Sequence, residues 1–152
     1  MSFSMLVSYN WLQEFFNDPL PKPGELAGLL NTRAFEVEGV EKIGDDYTID
    51  IDVLPNRAHD CFCHYGIAKE ISAITKIPVR NVYNEEQKGD FKTESVVKIE
   101  DERCYRFTMA EVQNPVVGPS PKELVQKLEI LGQRSINTIV DITNIVMLEI
   151  GQ

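Results

Sequence analysis

The stretch from Phe35 to Val53, FEVEGVEKIGDDYTIDIDV, holds two alternating runs around one turn, and its reading decides the fold class. Phe35-Glu36-Val37-Glu38 alternates apolar with acidic, which gives a strand one buried face and one wet face. Tyr47, Ile49, Ile51 and Val53 alternate with Thr48, Asp50 and Asp52, the cleanest period-two run in the chain. Gly44-Asp45-Asp46 supplies the turn, so the two runs are predicted to pair antiparallel. Helical periodicities flank this hairpin on both sides, and the class that follows is α+β.

On the N-terminal side, Ser8 is placed to cap a helix whose apolar residues are Trp11, Leu12, Phe15 and Phe16. Pro19, Pro21 and Pro23 punctuate a turn, and a second helix is predicted from Gly24 to Asn31 with Leu26, Leu29 and Leu30 inward. On the C-terminal side, Pro55-Asn56-Arg57 ends the hairpin. Asp60 is predicted to cap a helix running to about Lys76, with Tyr65, Ala68, Ile71 and Ile74 on its inner face. The polar run from Asn84 to Glu94 reads as a linker. Val96, Val97 and Ile99 suggest a short strand, and Tyr105 to Val112 a second. Ser120, Pro121 and Glu123 form a capping-box pattern ahead of Leu124, Val125, Leu128 and Leu131, with Gly132 as the stop. The last apolar segment, INTIVDITNIVMLEIG (136–151), is rich in β-branched residues, yet its length and Thr138-x-x-Asp141 favour a helix from Thr138 to Glu149.

These elements divide into residues 1–90, a small domain of helices covering an antiparallel sheet, and residues 95–152, the incomplete start of a second α+β domain. The final helix is expected to pack against polypeptide beyond Gln152, so the chain reads as an N-terminal fragment. A length of 152 residues with 43% hydrophobic and 26% charged content is enough for a core without disulfides or metal. The net charge of −9 argues against independent nucleic-acid binding, which needs a basic face to neutralise phosphates. Three cysteines form no even disulfide framework, so a reduced, cytoplasmic setting is expected, with no membrane span.

Few constellations offer chemistry. His59-Asp60-Cys61-Phe62-Cys63-His64 crowds potential ligands into one turn, whereas zinc takes separated ligand pairs converging on a tetrahedron. No metal site is expected there, and buried small cysteines at a helix start explain the run. Asp50 and Asp52 share a strand face, as magnesium-binding acids do, but any half-solvated strand shows the same pattern. No glycine-rich phosphate loop is present, so no ATP site is expected in this chain. Thr143 and Asn144 interrupt the last apolar segment and should be partly buried. Two accounts stay open: local satisfaction of backbone groups, or a polar pair pointing into a ligand pocket.

Four segments in order, SYNWLQEF, FEVEGVE, IDIDVLPNRAHDC with GIAKEISAIT, and GPSPKELVQKLEILGQRSINTIVDITNIVMLEIGQ, resemble the bacterial phenylalanyl-tRNA synthetase beta subunit. The resemblance implies a part in ATP-dependent joining of phenylalanine to its tRNA within a heterotetramer of two alpha and two beta chains. It implies an alpha-subunit partner that carries the aminoacylation site and, with it, ATP and magnesium. Contact with tRNA is expected only in the full complex. The beta subunit supplies scaffold and an editing site against mis-attached tyrosine, a second sieve for an analogue that adds one hydroxyl. The family's editing pocket uses a Thr-Asn pair that falls here on Thr143 and Asn144. The family also continues beyond Gly151-Gln152, and the chain departs from it in its hairpin region as well. Only Lys42 to Thr48 joins FEVEGVE to the next strand, where the family usually carries an oligonucleotide-binding barrel, and PNRAHDC has one residue more than the common motif. The expectation is a scaffold and partial editing domain with no catalytic residue of its own. Its rivals are a freestanding hydrolase of mischarged tRNA and a pure interaction module.

Overall fold

A computed structural model describes residues 4–80 and 96–151. The expected linker at 84–94 lies outside the described residues. Among them the class is α+β, with a three-stranded antiparallel sheet and six helices. In chain order these are β1 (Ser4–Ser8), α1 (Tyr9–Gln13), α2 (Pro23–Arg33), β2 (Glu36–Ile43), β3 (Asp46–Asp52), α3 (Ala58–Cys61), α4 (His64–Thr75), α5 (Lys122–Ile130) and α6 (Thr138–Ile150).

The hairpin reading holds. β2 and β3 pair antiparallel around Gly44, which takes φ +60° in the turn. A bulge at Val37/Gly39 shifts the register once. The sheet also has a strand the sequence reading missed: β1 pairs with the other edge of β3, so the order is β1-β3-β2. The register sets Met5 beside Ile51 and Val7 beside Ile49 on the inner face. Leu6 lies on the opposite face and is 40% exposed.

Helices cover the inner face. Ser8 caps α1 as expected, its Oγ accepting from the Trp11 N–H at 3.0 Å. Trp11, Leu12, Leu26, Leu30, Ile67 and Ile71 are buried with Ile49 and Ile51 in one core. Leu128 of α5 and Ile145 of α6 are in that same core. Residues 1–82 and 117–152 accordingly group as one compact unit, and residues 83–116 as another.

Several local expectations are corrected. The single helix from Asp60 is two helices, broken at Phe62-Cys63. Cys63 caps α4 in place of Asp60, whose carboxylate is drawn to Arg57 instead. Ser120 does not cap α5, because its hydroxyl donates to Asp141 at 2.5 Å; Pro121 stands at the cap position. The last segment is helical, but Asn137 rather than Thr138 caps it, accepting from the N–H groups of Ile139 and Val140. The strands expected at Val96–Ile99 and Tyr105–Val112 are not formed. Tyr105 is 95% exposed and Val112 75%, and a strand with no neighbour leaves its backbone groups unpaired. No helix among the described residues is long and apolar enough to cross a membrane.

Candidate functional site: the outer face of the last helix

Helix α6 has two faces of different character. Asp141 and Ile145 are buried, and Leu148 packs against the core behind them. Ile139, Ile142, Val146 and Met147 recur at helical spacing on the other side, each exposed by more than 40%. Thr143 sits in the middle of that exposed stripe, and Asn144 lies half-buried at its flank.

The N-terminal end of α6 is fixed by Asp141. Its Oδ2 accepts from Ser120 Oγ at 2.5 Å and Ser135 Oγ at 2.6 Å, and its Oδ1 from the Ile136 N–H at 2.9 Å. The Ser120 hydroxyl, then the Ser135 hydroxyl, hold this carboxyl below its ordinary pKa, because both stabilise the charged form. Thr138 ties the same end to the 118–119 turn, its N–H and hydroxyl both donating to the Gly118 carbonyl.

Thr143 is exposed, where partial burial was expected, and its hydroxyl donates to the Val140 carbonyl at 2.7 Å. This is the local back-bonding account. It still leaves the oxygen lone pairs free to accept. Asn144 makes no side-chain hydrogen bond among the described residues, so its amide keeps both donors and its acceptor. The pair can therefore grip a polar group, but it cannot move a proton unaided. Neither histidine supplies a base. His59 is exposed beside Asp60. His64 is fully buried with both ring nitrogens engaged, Nε2 by the Ser8 N–H and Nδ1 by the Leu148 carbonyl.

The cluster around Arg57 has a structural explanation. Carboxylate and thiol atoms of Asp60, Cys61 and Glu70 lie within 4.8 Å of one another, a spacing that could hold a metal ion. Yet Arg57 Nη2 already donates to Asp60 at 2.8 Å, to Cys61 Sγ at 3.0 Å and to Glu70. That guanidinium supplies the positive charge a cation would bring. The Arg57 pairing holds Asp60 down to about 2. Burial, then the hydrogen bond with Asp60, push the Cys61 thiol up to about 12, so it is no thiolate nucleophile. The six-residue run singled out in the sequence is dispersed: His59 points to solvent, Cys63 caps α4 and His64 enters the core.

Asp50 and Asp52 occupy the outer sheet face, Asp52 in register with Ser4 and Glu36 and Asp50 with Leu6 and Gly39. Asp50 accepts from Ser4 Oγ, and Oδ1 of Asp52 is buried without a hydrogen-bond partner. A separate cleft of about 570 Å³ between α1, the β2–β3 turn and α5 is lined by Glu14, Asp45, Asp46, Glu123 and Glu129, with Lys127 among them, so its rim is acidic on balance. Such a rim repels a phosphate backbone. Its lining includes neither Thr143 nor Asn144.

The family model of the B3/4 domain matches residues 103–152. The phenylalanine–tRNA ligase beta subunit of Rhodopirellula baltica is 36% identical over 152 residues, covering 97% of this chain and 22% of that protein. The corresponding protein of Syntrophus aciditrophicus is 41% identical over 110 residues, covering 70% of this chain and 14% of that one. The chloroplastic beta subunit of Porphyra purpurea is 33% identical over 154 residues, covering 97% of this chain and 21% of its own length. The chain thus spans about a fifth or less of the relatives it matches.

Proposed function

Since this chain is homologous to phenylalanine–tRNA ligase beta subunits, we propose that it serves as part of such a subunit, a scaffold carrying a portion of the editing domain. In this reading it supports the ATP-dependent attachment of phenylalanine to tRNA by an alpha/beta complex and catalyses nothing alone. The alpha subunit is its partner, and ATP and magnesium are bound there. The tRNA is engaged only in the full assembly. Residues 95–152 begin the editing domain, and Thr143 with Asn144 contribute to its pocket.

The observation that carries this reading is the outer face of α6. There a polar pair stands within an exposed aliphatic stripe, inside the region that matches the B3/4 domain. An aliphatic wall with one hydroxyl and one amide suits a ligand that is mostly apolar and carries a single distinguishing polar group.

The test has two arms. The isolated chain should show neither aminoacylation nor deacylation of mischarged tRNA above background. In a complete beta subunit assembled with its alpha partner, alanine at the positions of Thr143 and Asn144 should slow release of tyrosine from tRNA while leaving phenylalanine attachment intact. Turnover by the isolated chain, or unaltered editing in the substituted complex, overturns the proposal.

A further inference from the structure

We propose that His64 is the positioning residue that ties the C-terminal turn of α6 to the body made by β1, α1 and α4, and so sets where Thr143 and Asn144 stand. Its functional meaning rests on the reading of that pair given above; its structural content does not.

The imidazole bridges two backbones far apart in sequence. Nε2 lies 3.1 Å from the Ser8 N–H, which can only donate, so Nε2 must be the unprotonated nitrogen. The ring proton then sits on Nδ1 and is donated to the Leu148 carbonyl at 2.8 Å. That carbonyl belongs to the last turn of α6, where intrahelical partners run out. The ring is held flat against Trp11, centroids 4.1 Å apart at 25°. The Trp11 indole N–H reaches Glu149 at 3.3 Å, again in the last turn of α6. Lys127 of α5 stands over the Trp11 ring, 4.7 Å from its centroid, and pairs with Glu14 at 2.6 Å.

A helix pinned at one end can still swing and rotate. Asp141 pins the first part of α6 to the loops before it, and His64 pins Leu148, about two turns further on. Thr143 and Asn144 lie between the two anchors. His64 suits its place because it offers an acceptor and a donor on opposite sides of one neutral, flat ring.

Two conservative variants of the full chain separate the two halves of the bridge. His64→Asn keeps a donor near the Nδ1 position, and His64→Gln keeps an acceptor near Nε2. Amide hydrogen exchange is read over α6, with β3 as internal reference. In His64→Gln, α6 should exchange about tenfold faster relative to β3, the effect of losing one buried hydrogen bond, whereas His64→Asn should stay close to the parent. Equal exchange of α6 in both variants overturns the tie. Should a variant fail to fold, nitrogen NMR of the unaltered chain decides: a proton on Nδ1 and none on Nε2 upholds the bridge, and the opposite tautomer removes it. Neither measurement uses tRNA, so a failed editing assay leaves them intact, and a failed bridge leaves the editing test standing.

Discussion

Buried histidine and paired carboxylates give this protein two separate acid responses. Burial pulls His64 down to about 4 from its ordinary 6.5, against the opposing pull of its hydrogen bond to Leu148. The charged groups around it are Asp46, Lys127 and, through Trp11, Glu149. The unfolded chain takes up a proton on this residue before the folded chain does, so stability should fall as pH drops from 6.5 towards 4. The loss is on the order of 3 kcal/mol. Denaturant midpoints at closely spaced pH values measure it, and His64→Asn should flatten that stretch of the curve. Asp60 and Asp141 act lower. Both are held below their ordinary 3.8, so their contribution is present above that value and is lost as pH falls through the folded values. At this scale the sequence revealed groups that speak to their own neighbourhood, such as Ser8 as a cap. It could not reveal Asp141 or His64, whose partners lie as much as 84 residues away. Nothing in a hydroxyl's immediate context says that Ser120 will turn to a distant carboxylate rather than to its own helix.

Elements were legible where periodicity and turn chemistry agreed, as in β3, or where length alone argued against a strand, as in the helix α6. They were lost where an element depends on its neighbours. β1 reads SMLVS, with Leu6 breaking the alternation, and only pairing with β3 makes it a strand. Tyr105 to Val112 has the opposite fate, a strand-like pattern with no strand beside it among the described residues. The α3–α4 corner is a third case, because it is set by one close approach. A Cβ on Gly66 would lie 2.0 Å from the Asp60 carbonyl oxygen and 2.8 Å from the Cys61 Cα. Gly66→Ala should therefore destabilise the fold by about 3 kcal/mol or more, since backbone must move to admit it; thermal melts will show whether it does. Thr143→Ala is the contrasting substitution. The side chain is exposed and bonds only within its own helix, so stability should change by less than about 0.5 kcal/mol. The functional assay on this position can then be read as chemistry rather than as unfolding. A larger loss in the melt would show that Thr143 has a structural task.

At the scale of the whole molecule, chain order and packing order differ. α5 and α6 follow a long interval in sequence, yet they complete the core begun by the first eighty residues. Leu128 is fully buried, Ile145 joins the same cluster, His64 holds Leu148, and Lys127 pairs with Glu14. No local pattern announces such docking, which is why the sequence reading set α5 and α6 apart from the first sheet. Truncating Leu128 to Ala should cost about 2–4 kcal/mol and lower a single melting transition, because a buried leucine lost from a shared core weakens everything packed on it. Two resolved transitions, with only one of them shifted, would mean that α5 and α6 fold independently. Proteolysis offers a stricter trial. Lys98, Arg103 and Arg106 lie in exposed chain without regular structure, so trypsin should cut there while β3 and α6 stay protected. The core contacts do not depend on the severed stretch. The piece bearing α5 and α6 should therefore co-elute with the piece bearing β1 to α4 on gel filtration, and should part from it only in denaturant or, more easily, once Leu128 is alanine. Immediate separation of the two pieces in native buffer would show that the covalent connection, rather than the buried leucine and the histidine bridge, keeps them together.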